Sequence, residues 1–155
     1  MAPAPNIWHQ SISGEIVFEI RKLLEKTKSG KVFDAPCDVV LSNEDVVQPD
    51  IIFVSKENSH IITKDNIKGS PDLLIEIISK NSAQRDRIIK KRLYERCGVK
   101  EYWLVDVDNK EIEVLTLTQT GYETYGAFKA EDTLSSVVLK DFNFNVAEVF
   151  GKCLS

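Results

Sequence analysis

Two carboxylates and a lysine stand in this sequence where ordinary solvation does not account for them. Asp50 opens the apolar run Ile51-Ile52-Phe53-Val54 directly after Gln48-Pro49, and Glu76 sits in the middle of Leu73-Leu74-Ile75-Glu76-Ile77-Ile78. An ionised carboxylate is very costly to bury alone, so such a group is paired, protonated or bound to a metal. Two carboxylates on neighbouring strands can share one hard cation through oxygen ligands, with water and a substrate phosphate completing its shell. The plainer alternative makes Asp50 a turn residue and pairs Glu76 with an arginine. Lys90 lies on a helix predicted over 82–97. At about 100° per residue, Ile89, Leu93 and Cys97 share one face, Asp86, Lys90 and Tyr94 fall on or beside it, and Arg87, Lys91, Arg92 and Glu95 point elsewhere. An i,i+4 Asp86–Lys90 pair with a snorkelling stem would explain the lysine. The alternative is that Lys90 reaches the carboxylates at the sheet, where it could position an attacking water or stabilise charge on a phosphate oxygen. Two acids on adjacent strands and a lysine on the next helix form a set suited to metal-assisted phosphodiester hydrolysis.

The elements that must hold these groups follow from periodicity. Ile12, Ile16, Ile20, Leu23 and Leu24 recur at helical spacing, predicting a helix over 11–27 that Ser11 or Ser13 caps and Ser29-Gly30 stops. Runs 37–41 and 50–54 read as a hairpin about the turn Ser42-Asn43-Glu44-Asp45. Residues 55–70 are polar and irregular. The nearly continuous apolar run 72–79 reads as a strand buried on both faces. Gly98 stops the second helix, and strands follow over 101–107 and 111–115. Gly121 marks a turn, and residues 133–150 hold short strand-like pieces. The order helix, strands, helix, strands predicts an α/β fold, a mixed sheet covered by helices.

Composition narrows the classes. The 155 residues are one domain's worth, and 43% hydrophobic with 28% charged content excludes disorder as the whole answer. The longest strongly apolar runs are far short of the ~20 residues of a membrane span. The opening MAPAPNIWHQ has neither a basic nor an apolar leader region, so no signal peptide is expected. Cys37, Cys97 and Cys153 form no CxxC pair, which argues against a disulfide framework or structural zinc and fits a reducing cytoplasm. The net charge is −4, yet residues 80–100 hold eight basic residues against two acidic ones. That local surplus of +6 is either a solvated helix face or a phosphate-contacting one, with Lys80, Arg85, Arg87 and Lys91 as candidate nucleic-acid contacts.

Several segments together resemble a known family. They are Trp8-His9-Gln10, Val47-Gln48-Pro49-Asp50, Gly69-Ser70-Pro71-Asp72 running into the Glu76 strand to Ser79, Arg85-Asp86 with Lys90 and Tyr94, and Gly98-Val99-Lys100-Glu101-Tyr102-Trp103-Leu104-Val105-Asp106. The sequence resembles the bacterial "putative restriction endonuclease domain" family, long listed as a domain of unknown function, within the PD-(D/E)xK nuclease superfamily. The resemblance implies one restriction-endonuclease-like domain over residues 1–155, with a mixed central β-sheet flanked by α-helices. It implies a Mg²⁺- or Mn²⁺-dependent endonuclease acting on DNA to leave 5′-phosphates, working as a homodimer, with no small-molecule cofactor and no membrane partner. Carried over by residue, Pro49-Asp50 stands for the PD and Glu76 for the second acid, and the Ile77 carbonyl is a further metal ligand. The superfamily lysine should lie two residues after the acid, where this chain has Ile78. The resemblance places it at Lys90 instead, and Tyr94 would support it.

Lys80 is a competitor, because strand alternation puts residues 76, 78 and 80 on one face. Asp72 shares the Glu76 face and is either an outer metal ligand or a strand-start turn residue. Glu15, at the edge of the first helix's apolar arc, is a further acid candidate, or solvated like Glu19. His9 is either a general base or a capping and packing group. Two rival readings stand beside the enzyme: a nuclease fold without turnover serving as a binding module, and an interaction protein whose acids sit in ordinary ion pairs.

Overall fold

The computed structural model describes residues 6–79 and 84–154. Helix α1 (Ile7–Thr27) begins four residues before the expected Ser11, because the Asn6 side chain accepts the His9 N–H at 2.8 Å and caps the helix there. It buries Ile12, Ile16, Val17, Ile20 and Leu24. Then come β1 (Gly30–Asp34), β2 (Val39–Val40), β3 (Val46–Val47), β4 (Ile51–Ser55), a 3₁₀ turn (Lys56–Ile61), β5 (Ile67–Lys68) and β6 (Leu73–Ile78). Helix α2 (Gln84–Arg96) leads to β7 (Glu101–Asp106), β8 (Glu111–Thr118), β9 (Gly121–Phe128), β10 (Thr133–Ser135), β11 (Asn143–Asn145) and α3 (Val146–Cys153).

Six strands form the main sheet in the order β1-β4-β6-β7-β8-β9. The β6–β7 pair is parallel and its crossover carries α2, while the other neighbours are antiparallel. The sheet is mixed and helix-covered, as the element order predicts.

The expected hairpin of runs 37–41 and 50–54 does not form. The turn over 42–45 joins β2 to β3 instead, and β2 also pairs with β5 in a small separate sheet. β4 pairs with β1 and β6. β1 escapes a pattern reading because its apolar pair Val32-Phe33 is flanked by Lys31 and Asp34. At the C-terminal end, part of the segment read as strand-like is α3. Asn145 caps it, and Val146, Val149 and Phe150 are buried at helical spacing.

The sheet separates two apolar layers. Ile51, Phe53, Leu73, Ile75 and Ile77 face α1 and α3, while Ile52, Val54 and Leu74 face Tyr94 of α2 together with Val99, Tyr102 and Leu115. Strand alternation therefore turns Glu76 to the α2 side. α2 does not bury its most apolar stripe. Ile88 and Ile89 are about half exposed, while Tyr94 is fully buried. The face meeting the sheet carries Lys90 and Tyr94 with Leu93 partly buried beside them, and Ile89 is turned out. A carboxylate in the sheet beneath makes the difference: a lysine that meets it is worth more there than an isoleucine. Tyr94 also packs edge-on against Tyr102, with ring centroids 5.0 Å apart. Among the described residues, no helix is long and apolar enough to cross a membrane.

Candidate active site

β4 and β6 run antiparallel with Ile51 opposite Ile75, so Asp50, one residue before β4, arrives beside Glu76. A hydrogen bond fixes it there: the Ile77 N–H donates to Asp50 Oδ2 at 2.7 Å. Pro49, one residue further back, has no N–H to offer the strand at this point. The Ile77 N–H is taken by the Asp50 side chain at this end of β6. Asp50 Oδ1 lies 3.1 Å from His9 Nε2 on the first turn of α1, and this hydrogen bond raises the His9 pKa above its ordinary value.

Glu76 is 6% exposed. Lys90 Nζ donates to its Oε2 at 2.7 Å, and the Tyr94 hydroxyl donates weakly to its Oε1 at 3.5 Å. Burial nevertheless raises the Glu76 pKa, outweighing the lowering by Lys90, and Asp50 pushes it the same way. Burial and the nearby Glu76 charge push the Tyr94 hydroxyl far up, so it stays a neutral donor. The Tyr102 hydroxyl, on the same face, is buried without a hydrogen-bond partner and is likewise held protonated. The site is therefore an under-compensated negative centre: two carboxylates share one strand end, and one of them is inside the protein.

That imbalance suits a divalent cation. The donors are hard oxygens, as Mg²⁺ and Mn²⁺ prefer. Among the described residues, no group of three or more acidic, imidazole or thiol side chains is arranged to hold a metal ion. A cation here would use Asp50 and Glu76, with the Ile77 carbonyl, water and phosphate as further ligands. This matches Mg²⁺, which keeps several waters and binds through one or two carboxylates.

The other candidates fall in different places. Asp72, at the opposite end of β6, accepts the Ser55 N–H at 2.7 Å and Asn58 Nδ2 at 3.3 Å, and lies 3.5 Å from Lys100 Nζ. Glu15 pairs with Lys152 of α3 at 3.3 Å. Both are engaged away from the Asp50–Glu76 pair. Lys80 lies outside the described residues, as does the side chain of Arg85. Lys91 is exposed. Arg87 turns inward instead of to solvent: it lines a cavity of about 200 Å³ with Ile78, Leu104, Asp106, Asn109, Glu111 and Glu113, and its Nε is buried without a partner.

His9 is the group at this site that sequence reasoning undervalued. The signal was present, since residues 9, 12, 16 and 20 form one stripe once the helix is allowed to start at Asn6. Placing the cap at Ser11 or Ser13 left His9 outside the helix.

Buried Glu76 and half-buried Asp50 thus meet near one end of a mixed, helix-covered sheet, with Lys90 of the crossover helix against Glu76. The chain belongs to the Uma2 family, described as "Putative restriction endonuclease", whose model matches residues 1–147. Among solved structures, the fold is similar to a putative nuclease belonging to DUF820 from Anabaena variabilis ATCC 29413. The TM-score is 0.79 and the identity 19%, over 97% of this chain and 84% of that one. No curated protein matches the chain.

Proposed function

We propose that this protein is a divalent-metal-dependent endonuclease that hydrolyses DNA phosphodiester bonds, with Asp50 and Glu76 as metal ligands and Lys90 as the catalytic lysine. The observation that carries the reading is the meeting of Asp50, Glu76 and Lys90 at one strand end, with the second acid buried. A bound Mg²⁺ or Mn²⁺ would supply positive charge to the phosphate oxygens and make water easier to deprotonate. The protein's own groups do the rest. Asp50 and Glu76 would hold the cation against the strand end, and the Ile77 N–H keeps Asp50 aimed there. The Lys90 ammonium, now on Glu76, would face the attacking water or a phosphate oxygen and offset charge as it builds. Tyr94 keeps Glu76 oriented. Water attacks phosphorus, the P–O3′ bond breaks, and the products are a 5′-phosphate and a 3′-hydroxyl.

We further read the working unit as a homodimer in the cytoplasm, built from one such domain over residues 1–155. Two sites would then serve two strands.

The test is cleavage of single-stranded, duplex and branched DNA by the pure protein in Mg²⁺ or Mn²⁺, beside Glu76→Ala and EDTA controls. Metal-dependent cutting that the variant loses is the expected result. No cutting of any of these substrates by the wild-type protein overturns the reading in favour of a binding module.

A further inference from the structure

Trp8 is 56% exposed, whereas the chain's second tryptophan, Trp103, is fully buried. A large aromatic left in solvent asks for a reason, because indole gains more from burial than almost any side chain. Its place supplies one. Trp8 precedes His9, His9 contacts Asp50 at 3.1 Å, and Asp50 accepts the Ile77 N–H next to Glu76. Trp8 is therefore one residue along α1 from the imidazole that meets the acid pair. Its neighbour Ile7 is 81% exposed, so this end of α1 presents an apolar tip. On the other side of the pair lies α2, where Lys91 and Arg92 are exposed while Lys90 meets Glu76 and Arg87 turns inward. An aromatic platform and a cationic helix flanking one site match an unstacked base joined to a phosphate backbone. An intact duplex keeps its bases stacked on each other and offers no free face for an indole next to the cut.

We infer that Trp8 is a stacking platform for an unpaired nucleobase, and that the substrate has unpaired bases at the cleavage point, as a single strand, flap or junction does. This rests on the nuclease reading above. Trp8 binds and positions the base, and the chemistry belongs to Asp50, Glu76 and Lys90.

Intrinsic fluorescence isolates the event, because Trp103 is shielded and Trp8 is not. The experiment titrates wild-type protein in Ca²⁺ with a short oligothymidylate and, separately, with a perfect duplex of equal length. Trp8→Ala and Trp8→Phe are run alongside, and cleavage in Mg²⁺ is measured in parallel. Emission should be quenched by the single strand and not by the duplex, and the quench should vanish in both variants. Trp8→Ala should weaken binding about tenfold or more, and Trp8→Phe, which keeps a ring, much less.

Equal quenching by the duplex overturns the unpaired-base requirement. Unchanged affinity in Trp8→Ala, with cleavage intact, overturns the role of Trp8 and leaves the nuclease reading standing. A changed oligomeric state in Trp8→Ala, with unchanged affinity per protomer, assigns the surface to a second copy of the chain and also overturns it. Absence of both binding and cleavage in the wild type overturns the two readings together.

Discussion

The central strands carry buried acids at both ends, and the two ends are built on opposite principles. Where β6 and β7 begin, Glu101 is fully buried and accepts the Trp103 indole N–H, the Ser136 hydroxyl, and the Val137 and Val138 N–H groups. Asp72 beside it accepts a backbone N–H and an amide and lies against Lys100. Their donors are mostly backbone and neutral side chains, which do not leave and do not titrate. At the other end, among the described residues, Asp50 and Glu76 are met by an imidazole and an ammonium on two separate helices, which do titrate, with one backbone N–H and a weak tyrosine contact. The first arrangement is what a carboxylate needs to be a structural part. The second leaves oxygen lone pairs and exchangeable partners, which a metal or phosphate site requires. A buried acid in the sequence is thus ambiguous until its donors are known.

The largest effect expected from this contrast is on stability. Glu101→Ala removes the acceptor of four donors, of which the Trp103 indole is buried and the other three part-buried, so it should cost roughly 3 kcal/mol. Urea denaturation measures this, and the activity of the molecules that remain folded should be unchanged. Asp50→Ala and Glu76→Ala should do the reverse. Cleavage should fall by about a hundredfold or more, the scale of losing one preorganised charged group. Because the Glu76 pKa is raised, its ionised form costs the fold free energy above the ordinary carboxylate pKa. Glu76→Gln should therefore leave metal-free stability at neutral pH unchanged or up by about 1 kcal/mol, with the gain fading as pH falls through the carboxylate range. Should Glu76→Gln unfold the protein while Glu101→Gln leaves it stable, the two ends have been assigned the wrong way round.

The sequence carried the site further than it carried the strand pairing. Glu76 could be singled out because its flanks are apolar on both sides, and Lys90 because it sits where a helix should bury something apolar. Both are local anomalies, legible without a partner. The pairing of β4 depends on β1, whose short apolar core is masked by Lys31 and Asp34, and local pattern cannot choose between two neighbours. Asp72 shares the Glu76 face, and only the Ser55 N–H and Asn58, which lie far along the chain, show it engaged away from Asp50 and Glu76. The inward turn of Arg87 was hidden likewise, since helical angles alone assign it to solvent and the cavity it lines is formed with β6, β7 and β8.

Lys90 tests whether the exchangeable partners matter in themselves. Lys90→Met should reduce cleavage about 10- to 100-fold, as loss of a group orienting a metal ligand does, and should also raise the metal concentration for half-maximal activity. Lys90→Arg keeps an ion pair with Glu76 but not a compact ammionium-type point charge, so it should retain the fold and recover part of the activity. A Lys90→Met protein as active as wild type would place the chemistry with another group and reduce the lysine to a structural counter-ion.

The smallest effect is the most diagnostic of the site end's chemistry, because it depends on a partner that titrates. The His9 pKa is raised chiefly by its hydrogen bond to Asp50, with burial opposing. A base with a raised pKa binds its proton more tightly in the folded state. Its stabilisation is complete below the unfolded value of 6.5 and is lost as pH rises through the higher folded value. His9→Gln should therefore be destabilising by about 1 kcal/mol near pH 5 in EDTA, and nearly neutral above pH 8. On the proposed reading, Mg²⁺ or Mn²⁺ held by Asp50 would compete with the protonated imidazole by charge, so saturating metal should shrink the low-pH difference between wild type and variant. A stability difference that is constant across pH and blind to metal would mean that His9 merely packs, and that Asp50 belongs with Asp72 and Glu101 as a structural carboxylate.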